Sequence, residues 1–301
     1  MRFGITPLEI DNIVNILKQG KGIEGFLNFR FSDIVLNAAE RGYKHCEITL
    51  DIFQILPIKV TDDEIQKLKD IKKKYDMTFS AHFPIWSIEL ASPNRFIRDA
   101  SVDSLVDAYN MFKSFESDIE VYVLHPSGPF SAEITSADIE PKYKEFIINL
   151  FNGFAIRSIK DIIKKSKIDK SKIAIENIEY PFEGTLEIIK KLKGPKLLID
   201  TAHFLGGYSG KEYSTAEALV QVAEKYLDIT SEIHLQDFAS GLGADHAALG
   251  AGKGFPPKFL KVVKEYGFEG PLVFELTFNQ AKESLDFIRK NNPDIEIPNI
   301  K

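Results

Sequence analysis

Histidines and carboxylates recur along this chain at the ends of short apolar runs: His82, His125, Glu176, Asp200 with His203, His234 and Glu275. These side chains hold divalent cations through nitrogen and carboxylate oxygen, and a catalytic site built from them keeps a position open for water or substrate. Taken singly, a buried carboxylate or a strand histidine is more often a hydrogen-bonded structural group. Gathered at one end of successive strands, the carboxylates would repel one another unless a cation or protons neutralised them. Glu176, Asp200, His234 and Glu275 come from consecutive runs and form the expected ligand set for one ion. His82, His125, His203 and His246, with Asp245 beside the last, are candidates for further ions or for hydrogen bonds to substrate. His45 lies early in its run and reads as an ordinary strand residue.

Side chains so distant in sequence meet only if the backbone brings strand ends together. Eight runs rich in β-branched and aromatic residues read as strands, at 2–6, 43–50, 77–83, 119–125, 172–178, 196–203, 232–237 and 271–276. Most are separated by segments of helical spacing. In TDDEIQKLKDIKKKYD, for instance, Thr61 and Glu64 form a capping-box pattern ahead of Ile65, Leu68 and Ile71. Repeated β-α pairs imply parallel strands with right-handed crossovers, and eight of them close a (β/α)8 TIM barrel, an α/β fold whose strand carboxyl ends converge on one face. The rival, an open doubly wound sheet, normally carries a glycine-rich phosphate loop after an early strand, and the dense glycine cluster here follows strand seven instead.

Three long connections, 7–31, 126–139 and 238–255, follow strands and are expected on the face of the candidate ligands. The loop GLGADHAALGAGKGF places glycines around Lys253, an arrangement that suits either a phosphate-binding turn or, as preferred here, a loop needing glycine for its bends. Trp86, the only tryptophan, follows His82 and could stack on a ring of substrate or pack at the rim. Trp86 and Lys253 are therefore the candidate substrate-loop residues.

Composition bounds the rest. With 301 residues, 44% hydrophobic and 27% charged, the chain suits one elaborated domain over 1–301, with 291–301 as a C-terminal tail. A net charge of -6 offers no bulk attraction to a phosphate backbone, although a local patch or bound cations can outweigh it. Cys46 stands alone, the opening MRFGIT leads into no apolar signal core, and no run approaches the roughly 20 apolar residues of a membrane span. The expectation is a cytoplasmic protein with no membrane partner; oligomeric state is not legible.

The phrases AHFPIWSIELASP, VYVLHPSG, IAIENI, LLIDTAHF, IHLQDF, DHAALGAGKGF and GPLVFEL resemble, in order, the xylose isomerase-like TIM-barrel superfamily of sugar and sugar-phosphate isomerases and epimerases and endonuclease IV-type apurinic endonucleases. The resemblance runs from strand three to strand eight. In the epimerase branch it implies one ion on Glu176, Asp200, His234 and Glu275, with Glu176 and Glu275 passing a proton through an enediolate; His203 is counted beside these two as a candidate catalytic residue. In the nuclease branch it implies three zinc ions and phosphodiester hydrolysis, adding His82 and His125 to Glu176 for one ion and His203 and His246 for another. The nuclease pattern has Asp two residues before its loop histidine, where this chain has Ala244, with Asp245 directly adjacent to His246; HFLGGY is one residue short of the nuclease segment. The epimerase pattern carries an arginine after the strand-seven histidine and a Glu where this chain has Ala251; the arginine is missing here.

The first expectation is thus a metal-dependent isomerase or epimerase of a small sugar, sugar phosphate or polyol. The alternative is an endonuclease IV-like phosphodiesterase with DNA as partner, and a third possibility is a non-catalytic metal-containing ligand-binding barrel. The cofactor is a divalent metal, zinc, manganese, iron or cobalt, with one ion expected and up to three where the further histidines also bind.

Overall fold

The computed structural model describes residues 1–6, 30–55, 59–137, 139–241, 244–252, 254–298 and 300. Eight parallel strands close a barrel in chain order: β1 (Arg2–Ile5), β2 (His45–Thr49), β3 (Thr78–His82), β4 (Ile119–Leu124), β5 (Ile173–Glu176), β6 (Lys196–Asp200), β7 (Thr230–His234) and β8 (Pro271–Phe274), with β8 returning to pair with β1. Helices α1 (Phe31–Arg41), α2 (Asp51–Ile55), α3 (Asp62–Tyr75), α4 (Arg95–Met111), α5 (Pro129–Ser136) and α6 (Pro141–Ser166) serve the first four strands. Helices α7 (Phe182–Leu192), α8 (Thr201–Gly206), α9 (Ala216–Tyr226), α10 (Pro257–Tyr266) and α11 (Phe278–Asn291) serve the rest. The alternation read from the sequence is therefore the observed fold.

Local chemistry explains several boundaries. Thr61 caps α3 by accepting from the Glu64 N–H, as the capping-box pattern requires. The reciprocal half is absent, because the Glu64 carboxylate turns away and accepts from the Ser32 N–H at the start of α1, tying two neighbouring helices together. The sixth run, expected to extend to position 203, stops at Asp200, whose side chain accepts from the His203 N–H and so begins α8. A capping carboxylate at a strand end thus converts the next turn to helix. Of the long connections, 126–139 contains α5, and 7–29 lies outside the described residues. After α11 the chain packs back, burying Asn292 and Ile295.

Most buried apolar side chains form one shell between strands and helices, whereas Val121, Val123, Ala174 and Leu198 form a separate cluster on β4, β5 and β6. By strand alternation these four point inward. The opposite part of the interior is polar. Ser80 on β3 donates to Glu232 on β7 at 2.9 Å, and His234 on β7 lies 3.4 Å from Glu47 on β2. Neither strand pair is adjacent in the barrel, so both contacts cross its centre. Branched aliphatic residues normally fill such interiors. Here a completely buried polar half, including His45, Glu47, Ser80 and Glu232, lies among the same strands that carry the candidate ligands.

His45 is accordingly more than a routine strand residue: its ring bonds Thr78 at 2.8 Å and Ser80 at 2.9 Å. Burial, with Arg2 and His234 nearby, holds its pKa well below the ordinary histidine value, so it is neutral.

Candidate metal centre

Glu176, the last residue of β5, occupies the middle of the strand-end cluster and is buried. One carboxylate oxygen, Oε2, lies 2.9 Å from His125 Nε2 and 3.3 Å from His82 Nε2. The other, Oε1, lies 3.2 Å from His203 Nδ1 and 3.7 Å from His234 Nδ1. The two oxygens of one side chain thus face two different sets of nitrogen. Among the described residues, His82, His125 and Glu176 offer ligand atoms within 4.8 Å of one another, and so do Glu176, Asp200, His234 and Glu275.

The second set is held from behind. Asp200 Oδ1 caps α8, which leaves Oδ2 to accept from Gln236 Nε2 at 2.7 Å and to face His234 Nδ1 at 3.7 Å. Gln236 also donates to Glu275 Oε2 at 3.2 Å, so one buried amide braces two candidate ligand carboxylates. Asn177 fixes β6 against β5, accepting from the Asp200 N–H and donating to its C=O. Its own carbonyl lies 2.9 Å from His203 Nδ1. His203 therefore sits one helical turn beyond Asp200 with its ring anchored at the same site.

The outer residues are arranged more loosely. Asp245 Oδ2 is 3.7 Å from His203 Nε2, and Asp245 Oδ1 is 2.9 Å from His246 Nδ1. His246 is exposed and its Nε2 stands 4.0 Å from Glu275. The structure brings all nine candidate ligand or substrate side chains to one face, seven in the two compact sets and their immediate neighbour His203 and two at its rim.

Electrostatics test whether a cation fits. Burial favours the neutral form of Glu176, yet His125, His234 and the bonds from His125 and His203 outweigh it and hold the carboxyl well below its usual range. For Glu275 burial is likewise overcome, chiefly by His234, leaving a pKa of about 2. Burial dominates at Asp200 and raises it to about 6. Burial lowers His82, but its bond to Glu176 and the charges of Glu47, Glu176 and Glu275 carry it to about 10. His203 and His234 are raised in the same way against burial, by Asp200 and Asp245 in one case and by Glu275 and Glu47 in the other. At His125 burial wins and the pKa falls. The cluster thus gathers protons on histidine to balance three carboxylates. His234 Nδ1 is buried and faces those carboxylates, with Glu275 Oε2 at 3.1 Å, which is the donor arrangement a divalent cation takes.

The glycine-rich loop has a different logic from phosphate binding. Asp237 Oδ2 accepts from the N–H groups of Gly250, Gly252 and Phe255 at 3.0, 3.3 and 3.1 Å, and Oδ1 accepts from the Phe238 N–H at 2.8 Å. A buried carboxylate of the chain itself fills the backbone cradle. Glycine is required at 252 because a Cβ would lie 2.2 Å from the Phe238 carbonyl oxygen. Asp237→Asn is expected to cost about 1.5–3 kcal/mol, since the amide must set its NH2 against one of these N–H donors. Thermal unfolding and hydrogen exchange at Gly250, Gly252 and Phe255 check this; unchanged melting and protection would contradict it. Lys253 lies outside the described residues. Trp86 is 64% exposed on a turn whose Ile85 and Trp86 N–H groups donate to Asp51, and it makes no part of either compact set.

Residues 35–291 match the family described as the xylose isomerase-like TIM barrel. The chain belongs to that family. Within it, the chain is 28% identical over 207 residues to the probable endonuclease 4 of Halothermothrix orenii, covering 65% of this chain and 70% of the relative. Among solved structures the fold is similar to endonuclease IV from Thermus thermophilus, with a TM-score of 0.68 and 16% identity over 98% of this chain and 100% of the other. It is also similar to a D-tagatose 3-epimerase-like protein, with a TM-score of 0.66 and 20% identity over 98% of both chains. Its neighbours in fold are thus of both the epimerase and the nuclease kind.

Sequence reading overlooked four side chains of this xylose isomerase-like barrel: Asn177, Gln236, Glu47 and Glu232. Gln236 could have been found, because it lies two residues beyond His234 and alternation puts it on the same face. Among the described residues, no helix is long and apolar enough to cross a membrane.

Proposed function

We propose that the chain is a metal-dependent phosphoester hydrolase whose centre takes at least two divalent cations sharing Glu176, with duplex DNA containing an abasic site as the substrate to test first. The observation that carries this reading is the division of Glu176, with His82 and His125 on one oxygen and the His203 and His234 side on the other. A single-ion site would use the first pair only to bond Glu176 or substrate, whereas a second ion gives both nitrogens a ligand oxygen to share. The likeness to the probable endonuclease 4 of Halothermothrix orenii supports the choice of substrate.

When bound, the cations supply Lewis-acid neutralisation of charge at a phosphoryl oxygen and acidify nearby water. Glu176 and Asp200, both buried, hold the geometry, and Asp200 is locked by Gln236 and the α8 N–H. Glu275, at the partly exposed edge of the set and held ionised by His234, is placed to orient a water by accepting its hydrogen bond. His246, exposed and raised in pKa despite burial of part of its ring by its bond to Asp245, is placed to return a proton to the leaving oxygen.

A second reading, the sugar isomerase or epimerase, is favoured by one observation. The His203, Asp245 and His246 trio is looser than the four-residue set, in line with Ala244 standing two residues before His246. In that case Glu176 and Glu275 would move the proton at one ion.

Elemental analysis of protein purified without added metal or chelator, run beside cleavage of an abasic duplex and epimerisation of ketohexoses, separates the two. Two or more cations per chain with duplex cleavage is the expected result. One cation with epimerisation and no cleavage overturns it.

A further inference from the structure

His234 stands between two groups of carboxylates and shows one ring nitrogen to each. Nδ1 faces Glu275 Oε2 at 3.1 Å and Glu176 and Asp200 at 3.7 Å. Nε2 faces Glu47 Oε2 at 3.4 Å, within hydrogen-bonding geometry. A neutral imidazole carries one N–H and one lone pair, and only the lone pair can ligate a cation. Which nitrogen holds the proton is set by the hydrogen bond the other side can accept.

Glu47 is built to set it. It is fully buried on β2, and its second oxygen accepts from Thr6 Oγ1 at 2.9 Å, which fixes the carboxylate across the barrel from β7. We propose that Glu47 is a positioning residue for the centre, accepting the Nε2–H of His234 and so presenting the Nδ1 lone pair to the cation held with Glu176, Asp200 and Glu275. The inference rests on the reading that this four-residue set holds a cation.

Glu47, Glu232 and His234 also lie close enough to suggest an ion of their own. His234 argues against that use, because ligation through both nitrogens would require a doubly deprotonated ring. Glu232 accepts instead from Ser80, which closes a chain running from Thr78 through His45. The polar half of the barrel interior is thus a support for His234, reaching down to the amino ends of β2 and β3.

Two measurements test this. In zinc-loaded wild-type protein, 15N-histidine NMR is expected to show His234 protonated on Nε2 with Nδ1 bound to the metal; a ring protonated on Nδ1 overturns the proposal. Glu47→Gln keeps the side-chain volume but removes the charge and offers an N–H toward His234. It is expected to weaken the cation of this set roughly 10–100-fold in chelator competition, and to alter the visible spectrum of the cobalt-substituted protein. Thr6→Val, which frees the far oxygen of Glu47, should shift both readouts in the same direction by less. If Glu47→Gln lowers the melting temperature while affinity and cobalt spectrum stay as in wild type, the role is structural only and the proposal fails. Loss of a separate ion with the first retained would make Glu47 a ligand and overturn it too. Wild-type protein that takes up no cation would overturn this inference and the proposed function together, whereas cation binding indifferent to Glu47 overturns the inference alone. Should the variant not fold, the wild-type NMR result decides.

Discussion

Glu176→Ala is expected to remove bound cations from both compact sets and to reduce turnover below detection in either assay. The reason lies in how many groups depend on that one carboxylate: His82 and His125 meet one oxygen, and His203 and His234 approach the other. Loss of a partner that merely orients a ligand costs roughly 10–100-fold in affinity or activity. Loss of a ligand common to two ions must cost more, because the His82 and His125 set falls to two donors while the four-residue set falls to three and loses a negative charge. The substitution also leaves three raised or buried histidines facing one another without their counter-charge, which destabilises the metal-free fold. Glu176→Gln separates the effects, since it keeps the volume and one acceptor oxygen. It should fold, melt lower than wild type without metal, and still bind fewer cations by elemental analysis. Full cation content in a folded Glu176→Gln protein would rule out the shared role. By comparison, Trp86→Ala at the rim should leave cation content untouched, because that side chain lies outside both sets.

The ligand face was legible because a strand end is marked twice in the sequence. The β-branched run gives the direction of the strand, and the polar residue that ends it has no place in an apolar shell. His82, Glu176, Asp200 and His234 are each the last residue of their strand. The support for that face was far less visible. Glu47 and Glu232 sit inside β2 and β7, and a polar residue within a strand normally signals a solvent-facing position in the alternation. Only the closure of the barrel shows that their side of the strand is the centre, where Glu47 meets His234 and Glu232 meets Ser80. Asp237 was opaque for a related reason: its three loop partners follow it by 13 to 18 residues, through a segment without periodicity. Spacing of that kind becomes a contact only after the loop has folded around it.

Cation binding should be strongly pH-dependent, with affinity rising as pH rises. Without metal, His82 has a pKa of about 10, and His203 and His234 are raised well above the usual value, so at neutral pH all three are protonated, His82 and His234 within the two cation sets. Their pKa values exceed that of an unfolded histidine, about 6.5. The folded metal-free protein therefore holds more protons than the unfolded chain above that pH. The stabilisation is complete below about pH 6.5 and is lost as pH rises through the folded value. For His82 that window ends near pH 10. Metal-free protein should accordingly melt at lower temperature at pH 9 than at pH 7, while metal-loaded protein should not follow, because the cation has replaced the proton as counter-charge to Glu176. Filling the four-residue set must expel the His234 proton, and filling the His82, His125 and Glu176 set must expel the His82 proton. Affinity then gains about tenfold per pH unit for one proton released and about a hundredfold for two. Below pH 6 the dependence steepens again as Asp200, with a pKa of about 6, also takes up a proton. Titration calorimetry in two buffers of different ionisation enthalpy counts the protons directly. One proton for the first cation and a further one for the second is the expected count. Release of none at pH 7 would mean that His82 and His234 are already neutral in the metal-free protein, and the predicted pH dependence would fall.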